Sequence, residues 1–578
     1  MFNKINLILD SELKKIIPVF FISITAVSLL EIFSLSLIIP LITLILNEDL
    51  IIQFIHKNLP FMKDYSNSAV VIMLFFLLGF SYFLKAIFLF FFSWLQFSYV
   101  AKIESKLSKN LYAFYLARPY KFFTEVNSSE LIRNITEEVN KFTYYIINNG
   151  LSLFLEIIII LFISLFLIIY DPKTTTILLL LCFLISLIIL KITKSKINKL
   201  SEERQHHSKM KIKHIQQGIG GIKEIKVSGN ELLFLKYYDE HNKKYNQISK
   251  FFNIFTNLPK IILEFFAIIF LIFIISFAYF TGIKSTEILI TLGIFAAAAF
   301  RLIPSFNRLN VGYQNFRYGL PSIEVLYKEK INLINKKLIY EKKINQVKLK
   351  RDSIFQKEIM LKDLEFNYSQ ENILKNINIK IKKNTVIGLV GKSGSGKSTL
   401  VDLILGLRNP SKGKILIDNE KDINDLGQDW RNIIGYVPQN LYLLDDTLKK
   451  NIALGINLES IDELKILKAI KSSQLENFVK NNLDKGLETS VGERGVRLSG
   501  GQKQRIGIAR ALYKDPEILI FDEATSALDH DTEKKIIDTI NTLKNKKTII
   551  IISHRLSALN ICDTIYELKD KTINIFKN

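Results

Sequence analysis

The run Gly391-Lys-Ser-Gly-Ser-Gly396-Lys397-Ser398 has the residue types and spacing needed to grip phosphate. Glycines let a loop bend until backbone N–H groups converge on phosphate oxygens, and the start of a following helix adds positive potential. The apolar stretch 385–390 leads in and an apolar-periodic helix leads out, which is G-x-x-x-x-G-K-[ST] in its strand–loop–helix setting. Lys397 would reach the β- and γ-phosphates of a nucleoside triphosphate and Ser398 would ligate Mg2+. Ser393, Gly394, Ser395 and Thr399 complete the expected cradle.

A second stretch, Glu517-Ile-Leu-Ile-Phe521, ends in Asp522-Glu523. Four apolar residues and then two acids read as a buried parallel strand that delivers carboxylates at its C-terminal edge, where ligands bind in such sheets. Asp522 would hold Mg2+, largely through water. Glu523 would orient or deprotonate an attacking water. Strand ends often carry acids, so this signal gains its force from the phosphate loop.

Leu498-Ser499-Gly500-Gly501-Gln502 is a segment that phosphate-loop enzymes in general do not need. With Tyr436-Val-Pro-Gln439, Ser526-Ala-Leu-Asp529 and Ser553-His554 it gives residues 351–578 a close resemblance to the ATP-binding domain of ABC transporters. The resemblance implies an α/β phosphate-loop ATPase fold with ATP and Mg2+ as cofactors. It implies that Tyr368 stacks on adenine, that Gln439 touches Mg2+ and the attacking water, and that His554 contacts the γ-phosphate. It also implies that Ser499, Gly500, Gly501 and Gln502 cap ATP held by another subunit, with Asp529 part of the nucleotide site. Gly492-Glu493-Arg494-Gly495 resembles the exporter-type segment that senses the membrane domain. One copy of each motif per chain then requires a second subunit. With the catalytic motifs intact a homodimer is expected, a heterodimer with a degenerate partner being the alternative.

The preceding 330 residues must position that motor in a membrane. Six apolar stretches, about 16–46, 69–98, 146–170, 174–193, 261–281 and 286–310, are long enough to span ~30 Å of hydrocarbon as helices. The reading is an all-α six-helix transmembrane domain over 1–330, a charged linker over 331–350 and the ATP-binding domain over 351–578. The formal charge of +22 sits beside the apolar stretches, as at Lys191, Lys194, Lys196 and Lys199. That is the positive-inside pattern and not the basic–aromatic surface of a nucleic-acid binder. It places the long polar connections, 99–145 and 194–260, in the cytoplasm of a bacterial inner membrane, the bacterial source resting on the Ile, Lys, Asn and Phe bias. Arg118-Pro119 and Gly218, Gly220 and Gly221 mark their turns. Glu48 to Lys57 reads as a small outward amphipathic helix. Cys182 and Cys562 lie far apart and suggest neither disulfide nor metal site.

Charges inside spans are costly and point to function. Lys85, Lys260, Arg301 and Arg308 are the candidates for engaging an anionic head group, and Arg forks suit pyrophosphate oxygens. Snorkelling to lipid phosphate is the alternative. Phe300 to Arg308, Leu258 to Glu264 and Glu31 to Pro40 resemble bacterial flippases of lipid-linked oligosaccharides. The resemblance implies inner-to-outer flipping of a polyprenyl-pyrophosphate glycan, against export of drugs, peptides or lipids such as lipid A. Glu31 and Glu156 are expected to be buried hydrogen-bonding groups. Helix rise puts Glu31 ~22 Å from the cytoplasmic side, too far outward to pair readily with Lys85.

Overall fold

The computed structural model describes residues 1–37, 67–170, 172–280, 285–344, 354–368, 371–525 and 528–577. The expected outward helix at 48–57 and the Ser526-Ala527 pair lie outside the described residues. The chain divides into two compact units, one of Met1–Arg118 with Phe123–Lys343, the other of Pro119–Phe122 with Ile344–Asn578.

The first unit is helical. Its principal elements are α1 (Ile17–Ser36), α2 (Asn67–Leu116), α3 (Asn149–Tyr170), α4 (Pro172–Gly220), α5 (Glu231–Phe280) and α6 (Ser285–Ile344). Five described stretches are long and apolar enough to cross a membrane: Ser11–Ser36, Ser68–Leu116, Ser128–Ile169, Thr175–Gly220 and Glu231–Phe273. The sixth predicted span falls within α6. The helices outrun their apolar parts, and the 50 residues of α2 reach ~75 Å. α6 continues through 331–344, so most of the expected linker is helical. Two π-helical stretches, Asn134–Glu138 and Phe142–Asn148, lead into α3.

Polar residues inside the spans are satisfied locally. Ser23, Ser28 and Ser34 donate to the carbonyls of Val19, Ile24 and Leu30, one turn back on α1. Between helices, Asn310 Nδ2 donates to Ser186 Oγ at 2.9 Å, tying α6 to α4. Gly312 lets α6 approach α3, because a Cβ there would lie 2.7 Å from a Leu153 methyl group.

The second unit holds two sheets. Strands β1 (Glu358–Tyr368), β2 (Glu371–Lys382), β4 (Lys412–Ile417) and β5 (Lys421–Asp422) form an antiparallel sheet in the order β2-β1-β4-β5. The other sheet runs β10-β9-β3-β8-β7-β6, from β3 (Val386–Val390), β6 (Ile434–Val437), β7 (Ile518–Asp522), β8 (Thr548–Ile552), β9 (Thr564–Lys569) and β10 (Thr572–Lys577). Its strands are parallel except β10. All five residues of β7 and of β8 are buried, which is why they read as unbroken apolar runs. The helices around the site are α7 (Lys397–Ile404), α8 (Gly500–Tyr513) and α9 (His530–Leu543).

Candidate functional site

Strand register brings the segments predicted to handle phosphate together. Leu389 pairs with Ile552, Ile552 with Asp522, and Val437 with Phe521. The next residues along, Val390, Ser553 and Glu523, and Gln439 two beyond Val437, therefore leave four neighbouring parallel strands at one sheet edge. Segments more than 160 residues apart thus meet because parallel strands present their C-terminal ends together.

The loop after β3 is shaped for a phosphate. Gly396 has φ +104, and a Cβ on Gly391 would lie 2.5 Å from the Leu568 carbonyl and 2.8 Å from Ser395 Oγ. Only glycine fits Gly391. Among the described residues Ser395 Oγ is buried without a hydrogen-bond partner, so the cradle holds an orphaned donor that a phosphate oxygen would satisfy. Lys397 Nζ donates to the carbonyls of Gly391 at 2.7 Å and Lys392 at 3.0 Å, folded over its own loop. Burial pushes its pKa down against the pull of Glu523 and Asp522. Ser393, Gly394 and Ser398 are exposed, and Thr399 is buried in the first turn of α7.

Asp522 is buried and accepts a 3.2 Å hydrogen bond from the Tyr436 hydroxyl. Burial raises its carboxyl pKa, and Glu523 and Asp402 add to this, outweighing Tyr436 and Lys397. A buried carboxylate beside Ser398's loop suits a divalent cation, with Ser398 and Gln439 as further oxygen donors. Glu523 adopts φ +50, a sparsely populated conformation for a residue with a side chain. Its Oε2 accepts from Gln439 Nε2 at 2.7 Å, and its Oε1 lies 3.5 Å from His554 Nε2. A carboxylate held between an amide and an imidazole at a strand end can orient a water for attack.

Three predicted residues also have a local structural task. Ser499 Oγ accepts from Gln502 N at 3.2 Å while Gln502 Oε1 accepts from Ser499 N at 2.8 Å, a reciprocal cap on α8. Gly500 and Gly501 form its first turn, and the Ser499 hydroxyl keeps its own proton for a ligand. Asp529 caps α9 through Thr532 N at 3.0 Å. Tyr368 is about half exposed, and the Arg408 guanidinium sits 4.9 Å over its ring. Arg408 also lies 5.5 Å from the ring of Tyr120, in the Pro119–Phe122 turn that groups with this unit.

Gln504 carried no signal in the sequence. Its Nε2 donates to the Glu523 backbone carbonyl at 3.4 Å, tying α8 to the backbone of the residue whose carboxylate faces Gln439.

In the helical unit the four candidate cations are not alike. Glu31, nearly fully buried, lies 3.1 Å from Lys85 Nζ and 2.5 Å from Arg301 Nε, and it also accepts from Arg301 Nη2 at 3.0 Å. The expectation that Glu31 would not readily pair with Lys85 is therefore wrong. Helix rise measures depth along one axis, whereas packing of α1 against α2 and the reach of a lysine set the separation. Glu156 pairs with the Arg308 fork, which also reaches Ser305 Oγ at 3.2 Å. Lys260 is exposed on α5 beside Pro259. Sequence reasoning gave neither acid its counter-ion, although a buried charge in hydrocarbon requires one; the partners lie 54, 270 and 152 residues away.

Residues 374–526 match the ABC transporter family, and residues 16–301 match the ABC transporter transmembrane region. The chain is similar to an ATP-dependent lipid A-core flippase of Cupriavidus metallidurans, 28% identical over 80% of this chain and 77% of that one. The flippase of that name in Escherichia coli is 27% identical over 82% and 79%. ABC transporter B family member 1 of Dictyostelium discoideum is 42% identical, but over only 36% of this chain and 23% of its own length. In fold, the chain resembles a bacterial Atm1-family ABC exporter solved with ATP bound, with TM-score 0.76, 21% identity and coverage of 96% and 95%.

Proposed function

Since the chain belongs to the ABC transporters and joins their transmembrane region to their ATP-hydrolysing domain, we propose that it flips an anionic, lipid-linked substrate across the membrane. The substrate class we infer is a polyprenyl-pyrophosphate oligosaccharide moved from the inner to the outer leaflet of a bacterial inner membrane. The observation that carries this reading is the two-to-one pairing at Glu31. Lys85 and Arg301 share one carboxylate, so the cluster keeps an excess positive charge inside the helical unit. A pyrophosphate has the charge and the oxygens to meet both cations. Arg308 carries its own counter-ion, and Lys260, exposed on α5, would meet an anionic head group or lipid phosphate.

The ATP site supports a matching motor. ATP and Mg2+ would be held by Tyr368, the 391–399 loop, Asp522 and Gln439. Hydrolysis of the bound ATP would supply the energy, with Glu523 orienting the water and His554 beside the γ-phosphate. Ser499 and its loop would close the site of a second, identical subunit. ATP then favours closed motor domains and hydrolysis releases them.

The second reading, export of lipid A or another lipid, is favoured by the names of the relatives similar along most of the chain. The test uses proteoliposomes carrying a short polyprenyl-pyrophosphate oligosaccharide and follows ATP-dependent loss of enzyme-accessible glycan from one face. Movement by wild type but not by Glu523→Gln supports the proposal. ATP hydrolysis without movement overturns the substrate, and lipid A is the next compound to try.

A further inference from the structure

Four of the seven histidines of the chain gather at one place in the helical unit. His206, His207 and His214 lie on α4, and His241 lies on α5, packed against it. His207 and His214 are two turns apart and so share a face. A ring nitrogen of each of His206, His207 and His241 lies within 4.8 Å of the others, with the Nδ1 atoms of His207 and His241 2.8 Å apart. His214 stacks on His241, ring centroids 5.4 Å apart. Measured from Thr175, His207 is ~48 Å along α4, well beyond the ~30 Å that hydrocarbon covers. The cluster therefore sits in water-accessible polar extensions.

We propose that His206, His207 and His241 form a transition-metal site, Zn2+ fitting best, that pins the polar extensions of α4 and α5 to one another. The donor set decides the metal class. Neutral imidazoles suit Zn2+, Cu2+ or Ni2+, whereas Mg2+ and Ca2+ need oxygen. Tetrahedral Zn–N bonds of ~2.0–2.1 Å place nitrogens about 3.3 Å apart, against 2.8 Å between His207 and His241 and separations within 4.8 Å among all three. Modest ring rotations reach that geometry, and none of the three rings is fully buried. Glu203, one turn before His207, lines with it a cavity of about 600 Å³ and can supply a fourth ligand in place of water. The nearby cation Lys244 is paired with Glu240 at 2.9 Å, which lessens its repulsion of a divalent ion. Lys196 and Lys199 line the same cavity, with Lys199 3.9 Å from Glu203.

The consequence is control of turnover. Each extension continues a membrane helix, so a clamp between them restrains rearrangement of the helical unit and slows a hydrolytic cycle coupled to it.

The test uses full-length protein without a histidine tag, stripped of metal and held in lipid nanodiscs. Equilibrium dialysis with elemental analysis should find one Zn2+ per chain at micromolar concentration, and Co2+ should give the absorption of a tetrahedral nitrogen site. His207→Ala and His241→Ala should each weaken binding at least tenfold. His214→Ala, which removes a stacking ring but none of the three donors, should change it less. Metal-free ATPase activity equal to wild type certifies that the variants are folded. Absence of Zn2+ binding in wild type, or equal binding in a His207→Ala/His241→Ala double variant, overturns the site. Stoichiometric binding that leaves the ATPase rate unchanged overturns the clamp.

Discussion

Gln439 Nε2 donates a hydrogen bond to Glu523 Oε2 at 2.7 Å, joining the loops that leave the neighbouring strands β6 and β7. The amide holds the carboxylate that the proposed mechanism uses to orient water. Glu523→Gln should lower ATP hydrolysis ~100- to 1,000-fold, the range of a lost general base, while nucleotide binding persists. Gln439→Ala should cost less, about tenfold, because Glu523 remains. Phosphate release and nucleotide binding measured on the same preparations check both; equal losses in the two variants would contradict the division of roles.

Asp522 gives a prediction of opposite sign for stability and activity. Its folded-state pKa lies above the unfolded value because burial disfavours the charge. The native chain therefore binds this proton more tightly, and its stabilisation is present at low pH and is lost as pH rises through the folded pKa. At neutral pH the ionised group is a strain that a cation would relieve. Asp522→Asn should raise the melting temperature of nucleotide-free protein by about 2–4 °C and abolish Mg2+-dependent hydrolysis. A lower melting temperature would refute the first half.

Asp418 behaves in the reverse sense. Its carboxylate accepts from the backbone N–H groups of Gln356, Lys357 and Glu358 at 2.8, 2.6 and 2.9 Å. Burial raises its pKa, but these bonds outweigh it and the net shift is downward. Its contribution is present above the ordinary Asp value of about 3.9 and is lost as pH falls through the lower folded value. Asp418→Asn should lower the melting temperature at pH 7 by a few degrees, with the difference shrinking toward pH 3 in thermal scans.

Removing Glu31 leaves two cations in the helical unit without their counter-ion. Glu31→Gln should destabilise by about 3–5 kcal/mol, read as a lower melting temperature in nanodiscs. Adding Arg301→Gln should recover part of it, since one of the stranded charges then goes. Additive losses in the double variant would mean that the pairing does not couple these residues.

The cation pair at Glu31 has its own functional test. Arg301→Ala should reduce glycolipid movement at least tenfold while changing basal ATPase activity little, a separation seen by running both assays on one set of proteoliposomes. Equal losses would place Arg301 in the support of the fold instead.

Much of this architecture was legible in the residues. The phosphate loop and the strand ending at Asp522-Glu523 announce themselves because local geometry, glycine bends and fully buried strands demand particular residue types in short runs. The long apolar helices follow from composition for the same reason. The counter-ions of Lys85, Arg301 and Arg308 were not legible, nor was the Gln504 contact to Glu523, since each joins distant positions through a single side chain. The histidines show the same limit. His206 and His207 adjoin, but nothing in their spacing names His241, 34 residues beyond His207.

The sequence by itself determined the family, the two kinds of domain and which short segments carry the phosphate-loop and strand-end acid motifs, because these depend on contiguous residues and their periodicity. Only the tertiary structure decided that Val390, Ser553, Glu523 and Gln439 leave one sheet edge, that Glu31 serves two cations, and that three imidazoles from two helices converge. The physical reason is that strand order and helix packing set distances across the fold. A side chain's partner is then chosen by what burial leaves within reach, and not by how many residues separate the two along the chain.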